Sequence, residues 1–201
     1  MSFKKVMDKL SLSGGAISDA IRQNTQYLNA ELRVIKEAQE SINALKTYAD
    51  AETPSLKTTV NALVKKFENI EKTREEKANQ LQNKVIDPLN KIIEEEKILN
   101  AKLKEADVAQ KALIKAENKL AKLESKPEEK QRPEQIDEAK AALKESEATN
   151  QKADAEAKAA EDAFKKKKLE LMKSILKNIA DIERIFYEKA LKQIGAETIS
   201  V

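Results

Sequence analysis

The stretch Lys84-Val85-Ile86-Asp87-Pro88-Leu89 places a proline inside a long run of helix-forming residues. Proline removes one backbone hydrogen bond of a helix, and its ring clashes with the turn before it. The residues on both sides of Pro88 nevertheless keep the apolar spacing of a helix, so we expect a kink at Pro88 and not the end of the helix.

The apolar residues that flank this stretch follow a helical period on both sides. Before the proline they are spaced alternately four and three residues apart: Leu56, Val60, Leu63, Phe67 and Ile70. After it they continue as Ile92, Leu99, Leu103, Ala106, Leu113 and Leu120. The second series is shifted by one position, which is the drift expected where a 3.6-residue helix meets a 3.5-residue repeat. One long helix therefore spans the proline.

Proline and glycine mark the helix ends elsewhere in the chain. Thr53-Pro54 is typical of an N-cap followed by proline at the first helical position. Pro127 and Pro133 bracket a polar tip, and Gly14-Gly15 follows a short first segment. The predicted elements are an N-terminal amphipathic segment at 1–15, helices at about 16–51, 54–126 and 133–195, and a short tail at 196–201.

The helix lengths indicate how the chain folds back on itself. At 1.5 Å per residue the three helices run roughly 54, 110 and 95 Å, and short connections make neighbours antiparallel. The first helix then reaches only to Pro88, which leaves a three-helix body and a two-helix arm. In the third helix the arm half is rich in alanine, whereas the body half carries a broad aliphatic face from Leu171 to Ile194. Three helices do not cover a face that wide, so we infer a second copy of the chain.

The composition excludes several function classes. The chain has no cysteine and no histidine, so it lacks thiol nucleophiles and the commonest general base and metal ligand. Narrow helical arms offer no shaped pocket for paired carboxylates. We therefore expect no enzyme activity, no catalytic or metal-binding residues, no cofactor and no small-molecule substrate. No apolar run approaches the roughly 20 residues of a membrane span and no signal peptide is visible, so we expect a cytoplasmic, peripheral membrane protein.

With the kinked second helix, the helix-tip-helix arm and Ile185-Phe186-Tyr187 near the end of the last helix, the sequence resembles the BAR domain family over about residues 16–195. The resemblance implies an all-α fold of three long, kinked, antiparallel helices, an elongated coiled-coil bundle that forms a crescent-shaped homodimer. It also implies basic residues on the concave face and tips that contact anionic lipid. Many BAR proteins carry an amphipathic helix before the first core helix, and residues 1–15 fit that type.

The N-terminal segment has one apolar face and one basic face. Phe3, Val6, Met7 and Leu10 fall at i, i+3, i+4 and i+7, and the other face carries Lys4, Lys5 and Lys9. This is the pattern of an interfacial helix, and it is too short to be stable alone in water. We expect it to stay disordered until it inserts those four apolar side chains into a membrane. The alternative is a frayed terminus or a segment docked on the body.

Lysines form a second candidate membrane surface along the arm. They comprise Lys111, Lys115, Lys119, Lys122 and Lys126 on one face of the second helix, continued by Lys130 and Arg132 at the tip. A cationic line of this kind can bind lipid phosphates. The alternative is ordinary interhelical ion pairing with Glu134, Asp137, Glu138 and Glu145.

The densest basic run is Lys165-Lys166-Lys167-Lys168, extended by Lys173. Four consecutive residues span about 300° of a helix, so they cannot all face one way. Glu94, Glu95 and Glu96 are expected to neutralise some of them. The remainder either line the middle of the membrane-binding face or form an ordinary solvated surface.

Taken together, the patterns favour a homodimer that binds anionic phospholipid membranes and senses or generates curvature. The alternative is a coiled-coil scaffold or tether that never touches lipid. Nucleic-acid binding is the weakest reading, because the basic run lacks interleaved aromatic residues and is surrounded by acidic ones.

Overall fold

The structure is a computed structural model that describes the backbone of residues 3–127 and 131–195 and the side chains of residues 15–127 and 131–195. All of its elements are helical: α1 (Phe3–Asp50), α2 (Pro54–Leu81), a π-helical turn (Gln82–Ile86), α3 (Asp87–Glu124) and α4 (Pro133–Gly195). The all-α class and the three long helical runs are confirmed, with the second run divided into α2, the π turn and α3.

The first helix differs from the prediction at its start. It begins at Phe3, and Gly14-Gly15 lies inside it, so the glycines do not separate a short segment from a helix that begins at about residue 16. A glycine in a helix interior costs only about 1 kcal/mol relative to alanine, so two glycines do not by themselves end a helix. Nothing lies within 4 Å of a Cβ built on Gly15, so no close approach requires glycine there.

The ends of the second run are set by local hydrogen bonds. Thr53 is extended (φ −60°, ψ 151°) and precedes proline in the first turn of α2, as predicted, but its side chain makes no capping bond. At the other end α3 ends at Glu124, before the predicted 126. The Gln131 side chain donates to the carbonyls of Glu124 (3.1 Å) and Lys126 (2.7 Å), which replaces the bonds that another helical turn would have made.

The chain accommodates Pro88 with a π turn. The Asp87 amide donates to the carbonyl of Gln82, a bond one residue longer than in an α-helix. The Gln82 side chain also donates to the Asp87 carboxylate at 2.6 Å. Because Pro88 has no N–H, the carbonyl four residues earlier, on Lys84, has no α-helical donor. The Asn178 side chain of α4 donates to that carbonyl at 3.2 Å, so the defect in one helix is satisfied by its neighbour.

The chain divides into two compact units, which we call the body and the arm. The body comprises Ala16–Ile92 and Glu170–Val201, and the arm comprises Met1–Gly15 and Ile93–Leu169. In the body, contacts such as Lys46 to Glu68 (2.7 Å) and Lys77 to Glu183 (2.9 Å) join α2 to α1 and α4. In the arm, Lys102 contacts Glu156 at 3.0 Å. In every case residue numbers rise along one helix and fall along its neighbour, so the packing is antiparallel.

Each unit has its own apolar seam. Large, fully buried side chains dominate the body, among them Ile42, Val85, Leu89, Ile92 and Ile175. Alanines take a larger part in the arm, whose buried residues include Leu99, Leu103, Ala106, Ala109, Ala139, Ala157 and Phe164. Small side chains suit a contact between only two helices, which agrees with the two-helix arm expected from the sequence.

The Asn178 bond predicts a specific coupling between two substitutions. Asn178→Ala removes the donor to the Lys84 carbonyl and should lower the free energy of unfolding by about 1 kcal/mol, the usual value of one such hydrogen bond. In a Pro88→Ala background, the new amide supplies that donor and Asn178→Ala should cost almost nothing. Urea unfolding of the four proteins measures this. Equal losses in both backgrounds would show that Asn178 does not compensate for the proline.

Candidate membrane and self-association surfaces

A charged cluster lies inside the body, where only apolar side chains were expected. Lys77 of α2 is 3% exposed, and its ammonium contacts Glu31 of α1 (2.8 Å) and Glu183 of α4 (2.9 Å). Arg74, one turn earlier, contacts Glu31 (3.0 Å) and Glu71 (3.1 Å). The three helices of the body are thus joined by one network of ion pairs, which we call the body cluster.

Aromatic rings complete the surroundings of Lys77. Its Nζ lies 4.8 Å from the ring centre of Phe186 and 5.1 Å from that of Tyr27, and it donates to the Tyr27 hydroxyl at 2.6 Å. Ring faces attract cations, so these contacts add to the ion pairs. Phe186 and Tyr187 themselves form an edge-to-face pair with centroids 5.3 Å apart, at the position where the resemblance indicated an aromatic pair.

The pKa values of the cluster follow from its burial and its bonds. Burial by itself lowers the pKa of Lys77, but hydrogen bonds to Glu31, Tyr27 and Glu183 outweigh it and leave that pKa raised. Burial likewise opposes ionisation of Glu31, whose pKa the bonds from Lys77 and Arg74 nevertheless hold below its usual value. Burial raises the pKa of Tyr27 to about 12. Lys77 and Glu31 are therefore both charged at neutral pH.

The sequence contains a signal for this cluster within the apolar repeat of α2. The alternating four- and three-residue steps of α2 continue from Ile70 through Arg74 and Lys77 to Leu81. Two basic residues at consecutive seam positions have to be paired when they are buried. Glu71 lies three residues before Arg74 on the same helix, but the other partners, Glu31 and Glu183, lie on α1 and α4 and follow from no spacing within α2.

An exposed apolar stripe runs along the body half of α4. It consists of Leu176, Tyr187, Leu191 and Ile194, each between 58% and 67% exposed. These positions fall on one face of the helix. Leu176 and Tyr187 are eleven residues apart, which is about three turns, and Leu191 and Ile194 follow after steps of four and three residues. The stripe belongs to the broad aliphatic face predicted from the sequence, whose other members, such as Ile175 and Ile182, are buried within the body. One chain covers only part of that face.

The first helix exposes a second apolar strip beside its buried seam. Tyr27, Val34 and Tyr48 are 39%, 45% and 50% exposed and are spaced so that they share a face. A shallow groove lined by Ala30, Val34 and Ala38 follows the same strip. Both strips of the body are available to a partner.

The arm lysines are exposed and do not form the interhelical ion pairs that were the alternative reading. Within the part of the chain that the structure describes, no acidic side chain pairs with Lys115, Lys119, Lys122, Lys126 or Arg132. A contact across the arm near the tip instead joins Lys140 to Glu124 at 3.8 Å. Lys111, the first residue of the line, pairs with Asp107 on its own helix at 2.5 Å. The other described residues of the line keep their charge for an external partner.

The tetralysine run divides as its helical geometry requires. Lys165 contacts Glu161 on its own helix at 2.6 Å, and Lys167 pairs with Glu95 of α3. Lys168 lies with its ammonium 5.9 Å from the ring centre of Phe164. Lys166 and Lys173 are exposed and form no ion pair with any other described side chain. Part of the run is thus structural, as expected from Glu94, Glu95 and Glu96.

Several predicted membrane residues lie outside the described side chains. They are Phe3, Lys4, Lys5, Val6, Met7, Lys9 and Leu10 of the first segment, and Lys130 at the tip. Among the helices that are described, none is both long and apolar enough to cross a bilayer.

The sequence from residue 7 to residue 200 matches the profile of the FAM92 protein family. This chain belongs to the FAM92 family. Among curated proteins, no sequence matches it. The matched range covers the body, the arm and the tip together, so the FAM92 assignment applies to the whole three-helix fold.

The chain shares its fold with one solved BAR domain, as the sequence resemblance indicated. The N-terminal I-BAR domain of D. discoideum IBARa has a TM-score of 0.54 at 19% identity, over 96% of this chain and 86% of that one. The F-BAR domain of Hof1p aligns at 12% identity over 92% and 81% of the two chains, with a TM-score of 0.38. The Imp2 F-BAR domain aligns at 13% identity over 91% and 75%, with a TM-score of 0.39. The first of these shows the shared fold.

The body cluster makes a prediction about stability. Lys77→Met removes the cation that the buried Glu31 and the partly buried Glu183 share, leaves Glu31 with Arg74 alone, and should lower the free energy of unfolding by about 3 kcal/mol. The matched control is Lys189→Met, because Lys189 pairs with Glu76 at 2.6 Å but is half exposed. That change should cost less than about 1 kcal/mol. Chemical denaturation followed by circular dichroism measures both.

Adding Glu31→Gln and Glu183→Gln to Lys77→Met removes the uncompensated charges and should recover much of the lost stability. If Lys77→Met cost no more than the Lys189 control, the cluster would not be an important part of the body.

Proposed function

We propose that this chain binds anionic membranes as a homodimer and senses or generates their curvature. BAR domains as a class bind membranes and sense curvature. The anionic preference, the dimer and a role in membrane trafficking or remodelling are the specific parts of the proposal. We further propose that the protein acts without catalysis, from the cytoplasmic side, as a peripheral membrane protein.

The observation that carries the membrane proposal is the unpaired lysine line of the arm. Lys115, Lys119, Lys122 and Lys126 are exposed along one side of the last turns of α3 and the residues after it, and the two acidic residues of this stretch, Glu117 and Glu124, fall on the other side. Each lysine near an anionic bilayer surface contributes about 1 kcal/mol. Four lysines that form no ion pairs within the described part of the protein are sufficient for measurable binding to an anionic membrane.

Two further groups of basic residues are proposed to contact the membrane. Lys166 and Lys173 of α4 are exposed and unpaired within the described structure. The N-terminal segment is proposed to insert Phe3, Val6, Met7 and Leu10 below the headgroups, with Lys4, Lys5 and Lys9 on the phosphates. Its amphipathic spacing supports this, and its folding on contact with the membrane remains a prediction.

The exposed stripe of α4 supports the homodimer. Leu176, Tyr187, Leu191 and Ile194 lie in one line on the unit that also has the larger core. Burying a side chain of this size stabilises by about 1.5–3 kcal/mol. We propose that the same stripe of a second chain, together with the strip on α1, covers it.

Neutralising the arm lysines should weaken membrane binding. The change Lys115→Gln, Lys119→Gln and Lys122→Gln removes about 3 kcal/mol of attraction, or about a hundredfold in partition coefficient at low salt. Co-sedimentation with vesicles of phosphatidylcholine and phosphatidylserine measures this. The matched control is Lys46→Gln, Lys57→Gln and Lys189→Gln, which removes lysines that already contact carboxylates.

The control should bind nearly as well as the unaltered chain, and added salt should weaken both. Deleting residues 1–12 should reduce binding further if the first segment inserts. Equal recovery in the supernatant with and without phosphatidylserine would reject the membrane proposal and favour the scaffold or tether.

The dimer has an independent test. Sedimentation equilibrium at micromolar concentration should give twice the chain mass of 22.5 kDa. Leu176→Glu with Leu191→Glu should shift the protein to the mass of one chain, because two charges in an apolar interface are costly. Ile114→Glu, on an exposed position of the arm, is the control and should leave the mass unchanged. A single-chain mass for the unaltered protein would contradict the proposal.

A further inference from the structure

One large apolar side chain, Val108, lies on the same side of α3 as the arm lysines. Lys104, Val108, Lys111 and Lys115 are spaced by four, three and four residues and so share the outer side of α3. Val108 is 66% exposed, more than the other large apolar residues of the arm. This valine packs against little of the protein, and the lysines on its side of the helix are suited to binding phosphate.

A shallow groove opens beside Val108. It runs between α3 and α4, and its floor consists of the small residues Ala109, Ala112 and Ala153. Lys104 and Lys152 lie at its edges and, within the described part of the chain, pair with no carboxylate. The apolar floor is thus bordered by free positive charge.

The acidic residues of the groove are already neutralised. Glu105 and Glu156 both contact Lys102, at 2.8 and 3.0 Å. These bonds raise the pKa of Lys102 and hold the pKa of Glu156 below its usual value, so these two groups remain charged and paired. The groove therefore presents an apolar surface with a net positive border.

We propose that Val108 and the alanine-floored groove beside it form a hydrophobic membrane contact within the arm. This inference rests on the proposed membrane function. Lys111 pairs with Asp107 on its own helix at 2.5 Å, whereas Lys104 and Lys115 pair with no carboxylate among the described residues. When Lys104 and Lys115 approach lipid phosphates, Val108 reaches the boundary between headgroups and acyl chains, and the groove takes part of an acyl chain. The arm then adds shallow insertion to electrostatic binding, at a place separate from the N-terminal segment.

The charges around the groove favour a lipid surface over a second copy of the chain. A helical partner needs an apolar line that repeats every three or four residues, and here lysines occupy the positions on both sides of Val108. Two copies that met on this side would place lysine against lysine, which repels. An anionic bilayer satisfies both the lysines and the single apolar side chain.

Tryptophan probes test this directly, because the chain contains no tryptophan. Val108→Trp should show a blue-shifted emission with vesicles of phosphatidylcholine and phosphatidylserine, and lipids brominated on the acyl chains should quench it. The matched control is Ile114→Trp: Ile114 is also exposed, at 46%, and lies six residues along the same helix, about 120° away around its axis. Its emission should not respond to either kind of vesicle.

A second pair of variants tests the energetic contribution. Val108→Ser should lower vesicle binding about fivefold, as expected for partial loss of one apolar contact, whereas Ile114→Ser should leave it unchanged. Vesicle binding in which the two tryptophans respond alike would overturn the inference and leave the proposed function standing. Absence of vesicle binding for the unaltered chain would remove both. A blue shift of Val108→Trp that grows with protein concentration without lipid would assign the groove to a second copy.

Discussion

The structure depends on one constraint: a chain with few aromatic residues and no thick core buries its apolar surface only as stripes between helices laid side by side. A stripe is covered only over the length of the neighbouring helix. Within the body, α2 packs against α1 and α4, and within the arm, α3 packs against α4. The difference in core composition follows from this, since two helices in contact favour alanine and three leave room for isoleucine, leucine and phenylalanine.

The body cluster and the Pro88 turn are exceptions to apolar packing, and in each a neighbouring helix compensates for the defect. Lys77 is buried between carboxylates of α1 and α4, and the Lys84 carbonyl accepts a bond from Asn178 of α4. Interactions of this kind add little net stability when complete but are costly when broken. These interactions can form at only one axial offset between the helices. An apolar heptad stripe, by contrast, still matches its partner when one helix is shifted by seven residues. We infer that they fix the register of the body.

Charge is used differently in the two units. In the body, the buried Lys77 and the partly buried Arg74 form ion pairs that join helices. In the arm, several lysines of α3 extend into solvent without a partner among the described residues. A FAM92-family chain of the BAR fold thus separates an internally satisfied unit, with exposed apolar strips, from a unit whose surface charge is available. That separation suits a protein whose thick part associates with a second copy and whose arms contact lipid.

The sequence by itself determined the helical class, the starts at Pro54 and Pro133, the end of the last helix at Gly195 and the antiparallel order, because proline, glycine and apolar period act within a few residues. Only the tertiary structure decided which charges are buried, how Pro88 is accommodated and that Gly14-Gly15 lies within a helix. It also decided that the described arm lysines form no ion pairs with Glu134, Asp137, Glu138 or Glu145. Those outcomes depend on the rotation and axial offset between helices. A period of four and three residues does not specify the offset, since sliding one helix by seven residues leaves the pattern unchanged.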